Sequence, residues 1–154
     1  MRRGLWLCAV LLSVGMVRAD EAAPALQVTT LAGESFDLAA HRGQWVIVNW
    51  WATWCVPCIK ELPEISAWVA QRGGKVAAIG LAFEDSDRAD ILAFLKQRPV
   101  SYPVAQVDPF DPPKNFIAPS GLPTTVVIAP DGHVAITFVG PITAKDLDGI
   151  VTKK

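Results

Sequence analysis

Residues 45–64 read Trp-Val-Ile-Val-Asn-Trp-Trp-Ala-Thr-Trp-Cys-Val-Pro-Cys-Ile-Lys-Glu-Leu-Pro-Glu. The first seven, Trp45–Trp51, form a nearly continuous apolar run of strand length, the pattern of a central strand covered on both faces. From Cys55 to Gln71 the apolar positions Cys58, Leu62, Ile65 and Val69 recur at helical spacing, so a helix follows the strand at once. Cys55 then stands at the helix N-terminus, where free N–H groups and the macrodipole stabilise a thiolate. Cys58 lies one turn deeper, on the apolar face. The expectation is an exposed nucleophile at Cys55 and a shielded resolving thiol at Cys58. Pro57 fits the first helical turn without losing a needed donor, and Pro63 predicts a kink further on. A structural disulfide, or half of a zinc site, stands beside this reading. A two-residue spacing closes too small a loop to be a useful staple, and no second Cys-x-x-Cys pair is present for zinc.

Outward from this segment the chain alternates strands and helices. Leu26–Asp37 contains the turn Ala32-Gly33-Glu34 and reads as a hairpin. Gly73-Gly74 ends the first helix. Lys75–Phe83 is a second buried strand. Ser86 or Asp87 caps a helix through Arg98 that turns Ile91, Leu92 and Leu95 inward. Ser101–Val107 is extended, and the proline- and aspartate-rich stretch Asp108–Pro119 is a loop with a short helix near Lys114–Ile117. Thr124–Ala129 and His133–Val139 are strands joined by Pro130-Asp131-Gly132. Thr143, with Asp146 three residues on, opens a last helix carrying Leu147, Ile150 and Val151. The order argues for an α/β fold with a mixed sheet.

The segment Asn49–Glu64 closely resembles the active-site segment of the TlpA/ResA-like thioredoxin-fold proteins. These are exported thiol:disulfide oxidoreductases, many of them reductases in cytochrome c or copper-oxidase maturation. The resemblance covers nearly all of residues 20–154. It implies a thioredoxin fold, a central mixed β-sheet flanked by helices, with an N-terminal β-hairpin extension. Gly121-Leu-Pro-Thr-Thr125 resembles the family's cis-proline segment, Glu84 its acidic residue beneath the active site, and Glu61 and Pro63 the Glu-x-Pro that follows its Cys-x-x-Cys. The implied catalytic residues are Cys55, Cys58 and Glu84, with Glu84 taking the Cys58 proton in the resolving step. Trp54, Pro57, Leu122 and Pro123 are the implied substrate-binding residues. Glu61 is expected to be a surface carboxylate near a helix N-terminus, and His41 and His133 fall in surface turns. Two departures stand out: Trp50 replaces the more usual Phe, and the proline-rich loop Asp108–Pro119 points to a different partner surface.

The remaining sequence sets the context. Met1–Arg3 is a basic n-region, and the uncharged stretch Gly4–Val17 reaches about 21 Å as a helix, short of the ~30 Å hydrocarbon core. Val17-Arg18-Ala19 suits signal cleavage before Asp20. The expected organisation is therefore a signal peptide over 1–19 and one thioredoxin-like domain over 20–154, in the periplasm; retention as an uncleaved inner-membrane anchor is the alternative. Cleavage removes Cys8 with the signal and leaves Cys55 and Cys58 as the only cysteines. Lys and Arg number 14 against 15 Asp and Glu, with no basic run, which argues against nucleic-acid binding. The leading reading is a monomeric dithiol–disulfide oxidoreductase that needs no cofactor or metal. Its partners are protein disulfides and a membrane thiol donor that recharges it. A copper chaperone using Cys55, Cys58 and His133 is the first alternative, although copper chaperones space their cysteines by three. A thiol peroxidase fits poorly, because Val48–Trp51 lacks the proline that chemistry wants ahead of its cysteine. An interaction module with inert cysteines would have to survive loss of both. Intact-mass analysis of exported protein should give a chain beginning at Asp20; retention of residues 1–19 would favour the anchored form.

Overall fold

A computed structural model describes residues 23–152 of the 154-residue chain. The expected signal segment, its cleavage point and Cys8 lie outside the described residues. Seven strands are present: β1 (Gln27–Thr29), β2 (Ser35–Asp37), β3 (Trp45–Trp51), β4 (Val76–Phe83), β5 (Val104–Val107), β6 (Thr124–Ile128) and β7 (Val134–Val139). Three α-helices accompany them: α1 (Val56–Ala70), α2 (Arg88–Gln97) and α3 (Ala144–Val151). Five strands form a mixed sheet in the order β5-β4-β3-β6-β7, while β1 and β2 form the separate antiparallel hairpin. The apolar run that decided the fold is the middle strand. It pairs with β4 in parallel, Trp45 opposite Val76 through Trp51 opposite Ala82, and with β6 antiparallel, Trp50 opposite Thr124.

Alternation along β3 divides the core into two layers. Ile47 and Trp51 pack with Cys58, Leu62, Ile65 and Trp68 of α1 and Leu147 of α3. Val46, Val48 and Trp50 face the other side, toward Leu26, Phe36 and Phe116. Both central tryptophans are fully buried, as the sequence suggested. Trp50 meets Phe83 edge-on and lies tilted against Phe116, so a large ring at this position has aromatic neighbours to fill against.

Helix α1 runs on through Pro63 to Ala70, with Gly73 and Gly74 at positive φ just beyond it. Helix α3 begins with the expected reciprocal cap, in which the Thr143 hydroxyl accepts from the Asp146 N–H and the Asp146 carboxylate accepts from the Thr143 N–H. The hairpin lies against the outer edge of the sheet. Leu31 N–H donates to the Val104 carbonyl at 2.7 Å, and the Arg88 guanidinium reaches the Leu31 carbonyl.

Two expectations of local structure do not hold. Leu92 is exposed, because the single buried position of α2 is Ile91 and the partly covered apolar side chains are Phe94 and Leu95. The helix expected near Lys114–Ile117 is a turn. Prolines at 112, 113 and 119 withhold backbone donors on both sides, and only Phe116 N–H to the Pro113 carbonyl closes a turn there.

Gly80 is the tightest point of β4. A Cβ there would sit 3.0 Å from Trp51 Nε1, 3.2 Å from Tyr102 Cε2 and 3.3 Å from Val104 Cγ2. Gly149 in α3 faces open space instead. Gly80→Ala should therefore cost about 1–3 kcal/mol by overpacking, whereas Gly149→Ala should gain roughly 0.5–1 kcal/mol from helix propensity. Urea unfolding of the two variants would show midpoints moving in opposite directions.

Candidate functional site

Strand β3 delivers the chain to the end of the sheet, and four residues later Cys55 is the N-cap of α1. Cys55 and Cys58 are joined by a disulfide, S–S 2.07 Å. The Cys55 sulfur accepts from the Cys58 N–H at 3.3 Å, so the first turn of the helix points a backbone donor at it. Cys58 is wholly buried. Cys55 is only 5% exposed, less open than expected, and meets solvent where it lines a groove of roughly 680 Å³.

The groove brings together residues far apart in sequence. Trp54, Val56 and Pro57 come from the helix start, Phe83, Glu84 and Asp85 from the end of β4, and Gly121 and Leu122 from the segment before β6. Trp54 is 66% exposed and Val56 61%, an apolar lip beside the sulfur. The Leu122–Pro123 peptide bond is cis, as the family resemblance of Gly121–Thr125 implied. Pro123 is itself buried, and its carbonyl accepts from Gly140 N–H. Leu122 leads into the groove, and neither its N–H nor its carbonyl pairs with another backbone group among the described residues.

Two carboxyls are buried near the disulfide. Glu84 is 2% exposed. One of its oxygens accepts from Thr53 N–H at 2.7 Å, and the other accepts from the Thr53 hydroxyl at 2.7 Å and the Ser86 hydroxyl at 2.6 Å. Glu84 thus grips the turn that carries Trp54 and Cys55.

Glu61 corrects the sequence reading. It was expected at the surface, but it is 3% exposed. It lies three residues beyond Cys58, on the same face of α1. One oxygen accepts from Asn49 Nδ2 at 2.8 Å and the other from Ile142 N–H at 2.9 Å. Desolvation pushes its carboxyl from 4.5 up to about 7, and the charge of Glu64 adds to the rise; the bonds from Ile142 and Asn49 work the other way. The available signal was weak: Glu61 is one residue before Leu62 and three beyond Cys58, inside the stripe that faces the sheet.

The histidines stay away from the site. His41 stacks on Phe36 with ring centroids 4.8 Å apart. His133 precedes β7, whose Val134 pairs with Ile128, and Ile128 in turn pairs with Val46. That is the opposite end of β3 from Cys55, so a copper site built from both cysteines and His133 is not assembled by this fold.

The AhpC/TSA family model matches residues 19–137. The chain is 33% identical over 139 residues to the thiol-disulfide oxidoreductase ResA of Bacillus thuringiensis (strain Al Hakam), covering 85% of this chain and 75% of that one. Among solved structures it is similar to the thiol:disulfide interchange protein of Chlorobium tepidum TLS, with TM-score 0.70, 29% identity, and coverage of 84% of this chain and 92% of that one. A DsbF homologue from Corynebacterium diphtheriae gives TM-score 0.75 and 25% identity over 83% of each chain.

The raised Glu61 carboxyl has a consequence for stability. Between about pH 4.5 and 7 the folded chain keeps a proton that the unfolded chain releases, so stability falls as pH rises through that window. Denaturation at pH 5 and pH 8 should show the native protein less stable at the higher pH, by an amount that Glu61→Gln abolishes.

Proposed function

The chain belongs to the AhpC/TSA family and is a thiol-disulfide oxidoreductase similar to ResA, and on that premise we propose that it works as an exported reductase of protein disulfides. In this reading it leaves the cell interior by signal cleavage before Asp20 and acts as a monomer in the periplasm. It serves a maturation step such as that of cytochrome c or a copper oxidase, and a membrane thiol donor recharges it. One observation carries the proposal: Cys55 lines a groove whose walls are an apolar lip and the segment Pro119–Leu122 that leads into the cis bond at Pro123.

The chemistry follows from the two environments. The Cys55 thiolate, stabilised at the start of α1, attacks one sulfur of the target disulfide. A Cys55–target bond forms, the target S–S bond breaks, and the second target sulfur leaves and takes a proton. Deprotonated Cys58 then attacks the Cys55 sulfur, re-forming the Cys55–Cys58 bond and releasing the first target sulfur as a thiol. Two electrons pass to the target, and the donor restores them. Leu122, ahead of Pro123, offers an unpaired backbone edge to the incoming chain, and Trp54 and Pro57 offer the apolar surface beside it.

Cys58 is enclosed, so its proton needs a nearby acceptor. Glu61, one helical turn beyond Cys58 and with its carboxyl raised to about 7, is the group we assign to that transfer, although its two oxygens also accept from Asn49 and Ile142. Glu84, expected from the sequence to take the proton, commits its carboxylate to Thr53 and Ser86. In the proposal it supports the resolving step by holding the Thr53 turn.

A Cys58→Ser variant should accumulate mixed disulfides through Cys55, and brief iodoacetamide treatment of the reduced protein should label Cys55 ahead of Cys58. In stopped-flow reduction of a model disulfide, Glu61→Gln should slow resolution about 10- to 100-fold. Glu84→Gln should slow it less. The reverse ranking would return the proton to Glu84, and equal labelling of both thiols would defeat the assignment of nucleophile and resolver.

A further inference from the structure

The loop between β5 and β6 supplies a wall of the groove that the reaction just described does not use. Pro109 and Pro119, near its two ends, both line the groove with Cys55. Between them Phe110 is 84% exposed, the highest value of any large apolar side chain among the described residues. This exposure is built rather than incidental. Phe110 N–H donates to the Asp108 carboxylate at 2.8 Å, Asp111 N–H donates to the Asp108 carbonyl at 3.2 Å, and prolines at 109, 112 and 113 restrict the backbone on either side. An aromatic ring on a turn fixed in advance loses little freedom on docking, which is the property of an interface anchor.

Charge specifies what the anchor meets. Asp85 lines the groove, and Asp108 and Asp111 flank Phe110. None of the three makes an ion pair among the described residues. The cations nearest in sequence are Arg88, three residues from Asp85 and donating to the Leu31 carbonyl, and Lys114, which lines a second hollow with Asp108 and Asp111. Phe110 thus stands next to a groove-lining proline as an exposed apolar projection, with Asp108 and Asp111 beside it in the chain and Asp85 in the groove itself.

We propose that Phe110 and its acidic surround form a substrate-selecting wall. It docks an extended segment of the disulfide-bearing partner, with an apolar side chain against Phe110 and a basic side chain near Asp85, Asp108 and Asp111. The inference rests on the reading of the site as a disulfide reductase and adds to it a class of substrate: disulfides whose cysteine is flanked by apolar and basic residues.

The test compares three oxidised probes with the dithiol enzyme. One is dithiobis(nitrobenzoate), too small to reach the wall. The others are disulfide-linked peptide dimers whose cysteine is flanked by Leu and Lys, or by Leu and Glu. The Lys peptide should be reduced with a kcat/KM about threefold above the Glu peptide at low salt, an advantage that shrinks in about 0.5 M salt. Phe110→Ala should lower kcat/KM for the Lys peptide, relative to the small probe, by about five- to tenfold, chiefly through KM. Asp85→Asn combined with Asp111→Asn should erase the Lys-over-Glu preference. An unchanged peptide-to-probe ratio in Phe110→Ala, or equal rates for the two peptides in the native enzyme, overturns the inference while leaving the reductase reading intact. Failure to reduce even dithiobis(nitrobenzoate) would defeat the reductase reading itself.

Discussion

The carboxyl of Glu61 ties together the elements on which the disulfide is mounted. It sits on α1, accepts from Asn49 in the middle strand and from Ile142 N–H just before α3. Asn49 extends the link to the Thr125 hydroxyl on β6 at 3.0 Å. Ile142 is itself 1% exposed, so its N–H has no water to fall back on. Leaving such a donor unmet costs on the order of 1–3 kcal/mol. The packing of α1 on the sheet, the entry into α3 and the register of the chain after the cis bond all lean on this small buried polar cluster of Glu61, Asn49 and Thr125. The same enclosure that makes this contact structural also raises the carboxyl to about 7. Scaffold and chemistry therefore draw on one physical cause, the exclusion of water beneath the disulfide.

Glu84 repeats the device at the rim. A buried carboxylate meets a backbone N–H that no strand or helix can serve, here that of Thr53 in the turn between β3 and α1. Gln106 fastens the segment beyond it by donating to the Ser86 carbonyl at 2.7 Å. Glu84 holds the turn that leads into the helix start, and Glu61 holds the helix itself to β3 and to the entry of α3. The N-cap geometry that favours a thiolate at Cys55 depends on this grip, because α1 has no acidic side chain in its first turn and its cap is the sulfur itself.

Much of this was legible in the residues. Trp45–Trp51 can be little other than a central strand, since its run of apolar side chains needs cover on both faces. The reciprocal cap Thr143/Asp146 announces α3, and the resemblance of Gly121–Thr125 to the family's cis-proline segment implied the cis bond. What was not legible depends on tertiary surroundings. A glutamate on an amphipathic helix carries no mark of whether its neighbour is water or Asn49. Leu92 fits the helical period of α2 as well as Phe94 does, and the placement of the sheet alone decides which of them is covered. Residues 114–117 contain no breaker of their own; the prolines around them, together with the pull of Phe116 into the layer beside Trp50, hold them as a turn.

The hairpin has an effect beyond its own two strands. It obstructs the β5 edge of the sheet, with Leu31 bound to Val104. The other edge, β7, carries Ile136 and Val139 at 37% and 58% exposure and has no further strand beside it among the described residues. A sheet with two open edges can extend without limit, copy after copy. A sheet with one open edge cannot: two copies meeting β7 to β7 use up both free edges, and addition stops there. Strand pairing between copies through β7 would by this geometry close at a pair, instead of opening a route to fibres.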